Sequence, residues 1–122
     1  MSFEIATVAR DFERTVGHEI LYSEMVCNQF VVAVLRKAVD PAFPMIRADD
    51  FAHHPRMMKV DQPQAGDLVH WPGHIGIVLD PDNGDFIGSQ TSTGVAVANY
   101  KKGYWNGNYG GKKADTFLRY IP

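Results

Sequence analysis

The sequence predicts an α+β fold in which N-terminal helices pack on an antiparallel sheet of roughly five strands. Two observations support this prediction. In the first third of the chain, apolar residues recur at the three- and four-residue spacing of amphipathic helices. After Gly66 the pattern changes to short runs of β-branched and aromatic residues, separated by turns rich in Gly and Asn. Helices followed by such strands are typical of the α+β class.

Two helices are predicted in the first third of the chain. The first has one apolar face and ends near Gly17; this face consists of Ile5, Val8, Ala9, Phe12 and Val16. The second begins at about Cys27 and ends near Ala38, because the Asp40-Pro41 pair stops it. Its broad apolar stripe predicts a central, buried helix that packs on the sheet.

The rest of the chain is predicted to contain one connection and five strands. Residues 40–66 include four prolines, so we expect a connection with one short helix near Arg47–Ala52. The strands are "DLVHW", "HIGIVL", "DFIGSQ", "GVAVANY" and "TFLRYI". No internal repeat or low-complexity tract divides the chain, and 122 residues suit one core. Residues 1–122 are therefore predicted to form a single domain.

Composition and charge argue against several classes of partner. A net charge of -2 and a pI near 6.2 give no electrostatic footprint for nucleic acid or for an anionic membrane. The longest apolar run, residues 30–35, is far too short to span a bilayer. Acidic residues at Glu4, Asp11 and Glu13 interrupt the segment where a secretory signal would be apolar. We therefore expect synthesis in the cytoplasm, or export by a route that needs no such signal.

The single cysteine, Cys27, has two interpretations. One cysteine cannot form an internal disulfide, and a free cysteine is commonly a small buried apolar residue. Cys27, however, lies at the predicted N-terminus of a helix, where free N–H groups and the helix dipole can lower a thiol pKa to about 3.5–7.5. The same N–H groups could stabilise an oxyanion beside the sulfur. This position favours a nucleophilic thiol.

A nucleophilic cysteine needs a base, and His74 is the candidate. It opens the strand "HIGIVL", and its side chain shares a strand face with Gly76 and Val78. We expect the small Gly76 to let the cysteine helix approach closely. The other histidines are expected to be surface or structural residues: His18, His53, His54 and His70.

Neither metal nor organic cofactor is predicted. His70 and His74 are four residues apart, but the intervening "WPG" prevents the helix that would bring both to one face. The stretch "DPDNGD" lacks the bidentate glutamate of a calcium loop, and an Asp-Asn-Gly hairpin turn explains it.

Three segments together resemble the NlpC-type cysteine peptidases, a papain-like group that cuts amide bonds in bacterial peptidoglycan stem peptides. They are "CNQFVVAVL", "AGDLVHWPGHIGIVL" and "FIGSQTSTGV", and the resemblance covers about residues 17–98. It implies that Cys27 attacks the amide carbonyl and that His74 takes the thiol proton and later gives one to the leaving amine. Water then hydrolyses the acyl-enzyme, and no cofactor is required.

The sequence departs from this family at two positions. Val26 stands where the family usually has an acidic residue, which acts with an upstream tyrosine, matched by Tyr22, to hold a free stem amine. The third catalytic position, commonly a second histidine, aligns with Gly88, which has no side chain. Gln90 lies two residues on, on the same strand face. We predict that its amide oxygen orients the His74 ring.

Two further residues are expected to contact substrate. Asn28 follows the nucleophile in the family motif. Trp105 lies in the Gly-rich segment 100–113, which is long enough to be functional. Two interpretations of Tyr104 and Trp105 stay open: they line a substrate groove, or they anchor the segment to the core.

Three functions are compatible with these residues. The favoured one is a peptidoglycan amidase or endopeptidase, delivered to a periplasm by a dedicated secretion system as an antibacterial effector. An immunity protein would then be a further partner. The second is a papain-like hydrolase or acyltransferase that acts on a non-wall amide or a lipid substrate. The third is a catalytically inactive binding module with the same fold.

Overall fold

The computed structural model describes residues 2–15 and 26–122 and contains two α-helices, two 3₁₀ helices and six strands in these ranges. The helices are α1 (Ser2–Thr15) and α2 (Cys27–Ala38), with 3₁₀ helices at Ala48–His53 and Gly103–Trp105. The strands are β1 (Met57–Val60), β2 (Leu68–Trp71), β3 (His74–Asp80), β4 (Asp85–Gln90), β5 (Gly94–Asn99) and β6 (Thr116–Tyr120). The predicted helix end at Gly17 lies outside the described residues, as do His18 and Tyr22.

The six strands form one antiparallel sheet in the order β1-β6-β2-β3-β4-β5. This confirms the α+β prediction and all five predicted strands. The short helix expected near Arg47–Ala52 is the first 3₁₀ helix. The prediction missed β1, because four residues between turns carry little periodic signal and this strand forms only by pairing with the distant β6.

Strand β3 lies near the middle of the sheet and is buried on both faces. On one face, Ile75, Ile77 and Leu79 belong to the main core, together with Phe30, Val34 and other apolar residues of α1 and α2. On the other face, Val78 joins a smaller core of Val69, Trp71, Phe86 and Tyr100, which is covered by Trp105, Ala114 and Phe117. The helices and the segment before β6 therefore cover opposite faces of β3.

The prediction that Gly76 admits the cysteine helix is wrong. Gly76 faces the smaller core, and a Cβ built there would lie 2.7 Å from the Phe86 ring. Its lack of a side chain makes room for this ring, whereas α2 packs on the other face, over Ile75. His74 lies on the Phe86 side, because its ring contacts Trp71 and Trp105.

A buried carboxylate ties β2 to three other parts of the fold. Asp67, just before β2, is fully buried and accepts hydrogen bonds from the Arg119 Nε and Nη2 groups at 3.0 and 2.8 Å. It also accepts hydrogen bonds from the Gln64 N–H and the Ser2 hydroxyl. The ion pair and the further hydrogen bonds offset the cost of removing this carboxylate from water.

Helix length bears on membrane association. In the ranges that the structure describes, no helix is both long and apolar enough to cross a bilayer.

Candidate active site

Cys27 is the first residue of α2, and only 5 % of it is exposed. Val26 occupies the N-cap position and supplies no side-chain cap to the helix. The first N–H groups of α2 are therefore not capped by Val26, and the backbone N–H groups of Cys27, Asn28 and Ile75 each favour the thiolate. This places the thiol between the start of α2 and the start of β3.

The expectation of a lowered thiol pKa is not met in the free protein. Burial raises the pKa of Cys27 above its ordinary value. The nearby N–H groups and the charge of Lys112 lower this pKa, but their combined effect is smaller than that of burial. The sequence shows the helix N-terminus but not how far water is excluded from it. At neutral pH the thiol therefore keeps its proton.

His74 opens β3 and is almost completely buried against aromatic rings. Its ring stacks on the Trp105 indole, with a centroid distance of 4.5 Å and an angle of 16° between the planes. Burial, together with the smaller effects of the positive charges of Lys112 and His70, lowers the pKa of His74 to about 4. The imidazole is therefore neutral at neutral pH, the form in which it can accept a proton.

The thiol and the imidazole both lie near the start of β3. One of the backbone N–H groups that lower the Cys27 pKa belongs to Ile75, the residue after His74. Nε2 of His74 is buried and has no hydrogen-bond partner among the described residues. This nitrogen can therefore donate a hydrogen bond to an acceptor without breaking another hydrogen bond.

Gln90, the last residue of β4, offers such an acceptor. Strands β3 and β4 pair Ile77 with Ile87, and this register, extended to the start of β3, places His74 opposite Gln90. The Gln90 amide nitrogen donates to the Ala96 carbonyl at 3.3 Å. Its Oε1 atom is buried and, in the part of the chain described, also lacks a partner. The predicted hydrogen bond between Gln90 Oε1 and the His74 ring is therefore not formed in this structure, although an imidazole N–H and an amide oxygen are complementary as donor and acceptor.

The position of Gln90 also explains the glycine at position 88. A Cβ built on Gly88 would lie 2.6 Å from Gln90 Oε1. The Gln90 carboxamide therefore occupies the space that a side chain at position 88 would need. Gly88 and Gln90 therefore depend on each other, and together they make a single departure from the family pattern.

A groove of about 360 Å³ gives access to the thiol. It is lined by Val26, Cys27, Asn28, Arg47, Ala48, Asp49 and Gly73. A second groove of about 360 Å³ is lined by Gln90, Thr91, Ser92, Tyr104 and Trp105. His74 lies between them, since it follows Gly73 in the chain and stacks on Trp105. Either groove could hold one side of a bound peptide.

The residues expected to contact substrate have structural contacts as well. Asn28 lines the first groove, but its amide donates to the Ile46 carbonyl at 2.9 Å. The Trp105 carbonyl accepts the Trp71 indole N–H at 3.0 Å, while the Trp105 ring lines the second groove. Trp105 therefore both anchors the Gly-rich segment and lines a groove. Tyr22 lies outside the described residues.

A buried network around His70 was missed from the sequence. His70 is buried, with Nδ1 2.7 Å from Asp115 Oδ1 and Nε2 2.9 Å from Asp49 Oδ1. The ring thus links two carboxylates, with one nitrogen facing each. Asp49 Oδ1 also accepts the Gly73 N–H at 2.8 Å. His70 thus holds the groove wall to the turn before His74. Its partners are 21 and 45 residues away in sequence, beyond any local pattern.

A metal site needs several ligand side chains close together. Among residues 2–15 and 26–122, no cluster of three or more His, Cys, Asp or Glu side chains could hold a metal ion.

The buried, neutral His74 predicts a specific pH dependence of stability. The folded-state pKa of about 4 lies below the ordinary value of 6.5, so the unfolded chain binds the extra proton between these pH values. The free energy of unfolding should therefore fall as pH decreases from 6.5 to 4, and the His74 contribution to this loss should be about 3 kcal/mol.

Urea denaturation at pH 7 and pH 4 measures this loss. His74→Gln should remove this part of the pH dependence, whereas the exposed His53→Gln should keep it. Equal pH dependence in the wild type and in His74→Gln would contradict the burial of a neutral ring.

Comparison with known proteins identifies the family. The NlpC/P60 family model matches residues 17–113, a range that includes Cys27, His74 and Gln90. A comparison with curated proteins found no matching relative. Members of the family are generally cysteine peptidases and amidases, and they act on peptidoglycan peptides. Because the match covers most of the chain, including the cysteine helix and the strand of His74, the chain belongs to the NlpC/P60 family.

Proposed function

We propose that this chain is a cysteine amidase that hydrolyses an amide bond of peptidoglycan stem peptides through a thiol acyl-enzyme. One observation carries the proposal: the Cys27 thiol, at the start of α2, lies close enough to the backbone N–H of Ile75, the residue that follows His74, for this group to lower the thiol pKa. A nucleophile and a base thus both lie near the start of β3, beside an open groove.

The first chemical step starts from a neutral pair. As the sulfur attacks the amide carbonyl carbon, His74 takes the thiol proton. The carbonyl oxygen becomes an oxyanion, and the N–H groups at the start of α2 are the donors nearest to it. The raised thiol pKa and the lowered imidazole pKa keep the proton on sulfur until a carbonyl is in place.

The remaining steps return the enzyme to its starting state. The imidazolium of His74 gives its proton to the amine, the carbon–nitrogen bond breaks, and the acyl group stays on the sulfur. Water then attacks the thioester while His74 takes a proton from it. Collapse of the second tetrahedral intermediate releases the acid and returns the proton to the thiolate.

Gln90 is the proposed positioning residue for His74. When the imidazole becomes an imidazolium, Nε2 must donate to an acceptor in a site from which water is largely excluded. Gln90 Oε1 is the buried acceptor on the neighbouring strand. A neutral amide stabilises the imidazolium less than a carboxylate would, which cysteine chemistry tolerates because a thiol is more acidic than a serine hydroxyl.

The proposed substrate sets the compartment of action. Mature wall peptides lie outside the cytoplasmic membrane, so we propose that the chain acts in a periplasm as an antibacterial effector. Delivery through a dedicated secretion system would suit this role.

Mass spectrometry of purified muropeptides, incubated with the protein, tests the activity. The wild type should release stem-peptide fragments, whereas Cys27→Ala should give none and His74→Ala should react at least about a hundredfold more slowly. The exposed His53→Ala is the matched control and should keep full activity. Fragments that form equally with Cys27→Ala would exclude the thiol mechanism.

Removal of the Gln90 amide tests the positioning role. Gln90→Ala should lower kcat roughly tenfold and leave KM almost unchanged, because a misoriented base impairs chemistry and not binding. Thr91→Ala, which alters an exposed residue of the same groove, should retain its kcat. In the Gly88→His/Gln90→Ala double variant, the freed space admits an imidazole, and part of kcat should return. Full activity in Gln90→Ala would leave a Cys-His dyad as the complete machinery.

Expression in two compartments of a Gram-negative host tests where the chain acts. The protein should be harmless in the cytoplasm and should lyse the cells when fused to a periplasmic signal, because only the second location contains mature wall. Cys27→Ala with the same signal is the control and should be harmless. Toxicity in the cytoplasm that depends on Cys27 would instead indicate an intracellular substrate.

A further inference from the structure

The Gly-rich segment 100–113 brings a lysine to the catalytic pair. Lys112 Nζ donates to the Pro72 carbonyl at 3.0 Å. Pro72 lies in the turn between β2 and β3, and the next residue, Gly73, lines the groove of Cys27. The ammonium therefore lies beside the turn that leads into His74. It has three N–H donors, and the bond to Pro72 uses one of them.

The backbone around Lys112 is fixed by the same segment that holds Trp105. The Lys112 N–H donates to the Tyr104 carbonyl, and the Lys112 carbonyl accepts the Gly107 N–H, both at 3.0 Å. Gly111 packs so closely on the Tyr104 carbonyl that any side chain there would overlap it. Because Trp105 stacks on His74, Lys112 has a defined position relative to the base.

Within the described residues, no ion pair neutralises the charge of Lys112. It acts on both catalytic groups, since it lowers the pKa of the Cys27 thiol and of the His74 ring. Across residues 2–15 and 26–122, the ion pairs found involve Arg and His and none involves Lys112. The groove carboxylate of Asp49 uses Oδ1 for His70 and Gly73. A partly buried cation thus lies near the catalytic pair, and no carboxylate of the described ranges is its partner.

We propose that Lys112 is a specificity-determining residue that binds a substrate carboxylate close to the scissile amide. This inference rests on the proposed function. A carboxylate on the substrate would form a charge-assisted hydrogen bond with the ammonium, whereas a carboxamide at the same place would leave the cation without a charged partner. The enzyme therefore prefers an acidic stem peptide to its amidated form.

The first test needs no substrate and uses the alkylation of Cys27 in the full chain. Iodoacetate and iodoacetamide both react as the thiolate displaces iodide, but the first carries a carboxylate and the second a carboxamide. The ratio of their rate constants, iodoacetate over iodoacetamide, should fall about threefold or more in Lys112→Gln, because the cation that attracts the anionic reagent is gone. An unchanged ratio in Lys112→Gln would overturn the proposal.

Two variants control this measurement. Lys112→Arg keeps the positive charge and should keep the wild-type ratio. Lys113→Gln makes the same charge change at the exposed neighbouring residue and should also leave the ratio unchanged. A ratio that falls equally in Lys113→Gln would show a general charge effect and would also overturn the proposal. Lys112→Gln can still donate to the Pro72 carbonyl, and its melting temperature should stay close to that of the wild type.

The second test compares muropeptides whose γ-linked glutamyl residue has a free or an amidated α-carboxyl group. The wild type should have a kcat/KM roughly tenfold higher for the free acid, and Lys112→Gln should lose this preference. Turnover of both peptides at equal rates by the wild type would overturn the Lys112 proposal alone. Failure to cut either peptide, with the alkylation ratio still dependent on Lys112, would overturn the proposed function and leave the anion site intact.

Discussion

The site depends on the burial of β3 on both faces. Helix α2 covers the face of Ile75 and Ile77, and the segment that precedes β6 covers the face of His74 and Gly76. Two layers on opposite faces of the sheet thus supply the thiol and the aromatic ring that covers the imidazole. A change that uncovered either face would therefore expose one half of the catalytic pair to water.

Burial also sets the electrostatics of the pair. It disfavours the charged form of each group, so it raises the pKa of Cys27 and lowers the pKa of His74. A helix N-terminus alone suggests a thiolate, but here desolvation outweighs the N–H groups. The resting site holds no net charge on its two reacting groups, and charge separates only during attack. Preorganised donors and acceptors, such as the N–H groups of α2 and the amide of Gln90, then matter most.

The sequence predicted those features whose signals are local. Cys27 at a helix start, the five strands and the His74 strand all follow from short periodic patterns and turn residues. The sequence did not predict what depends on distant parts of the chain. Gly76 accommodates a ring from β4 and not the helix, and His70 binds carboxylates 21 and 45 residues away. Water exclusion at Cys27 likewise results from the assembled layers.

The charges of the groove suggest why Val26 can stand where the family usually has an acidic residue. Position 26 lines the groove that contains Cys27. A carboxylate there would attract a substrate ammonium. Here the groove carboxylate, Asp49, already contacts the His70 ring and the Gly73 N–H through Oδ1. The ammonium of Lys112, in contrast, has no carboxylate partner in the described part of the chain. An apolar residue at position 26 and a Lys112 ammonium without a carboxylate partner in the described ranges would both favour a substrate recognised through its acid and not through its amine.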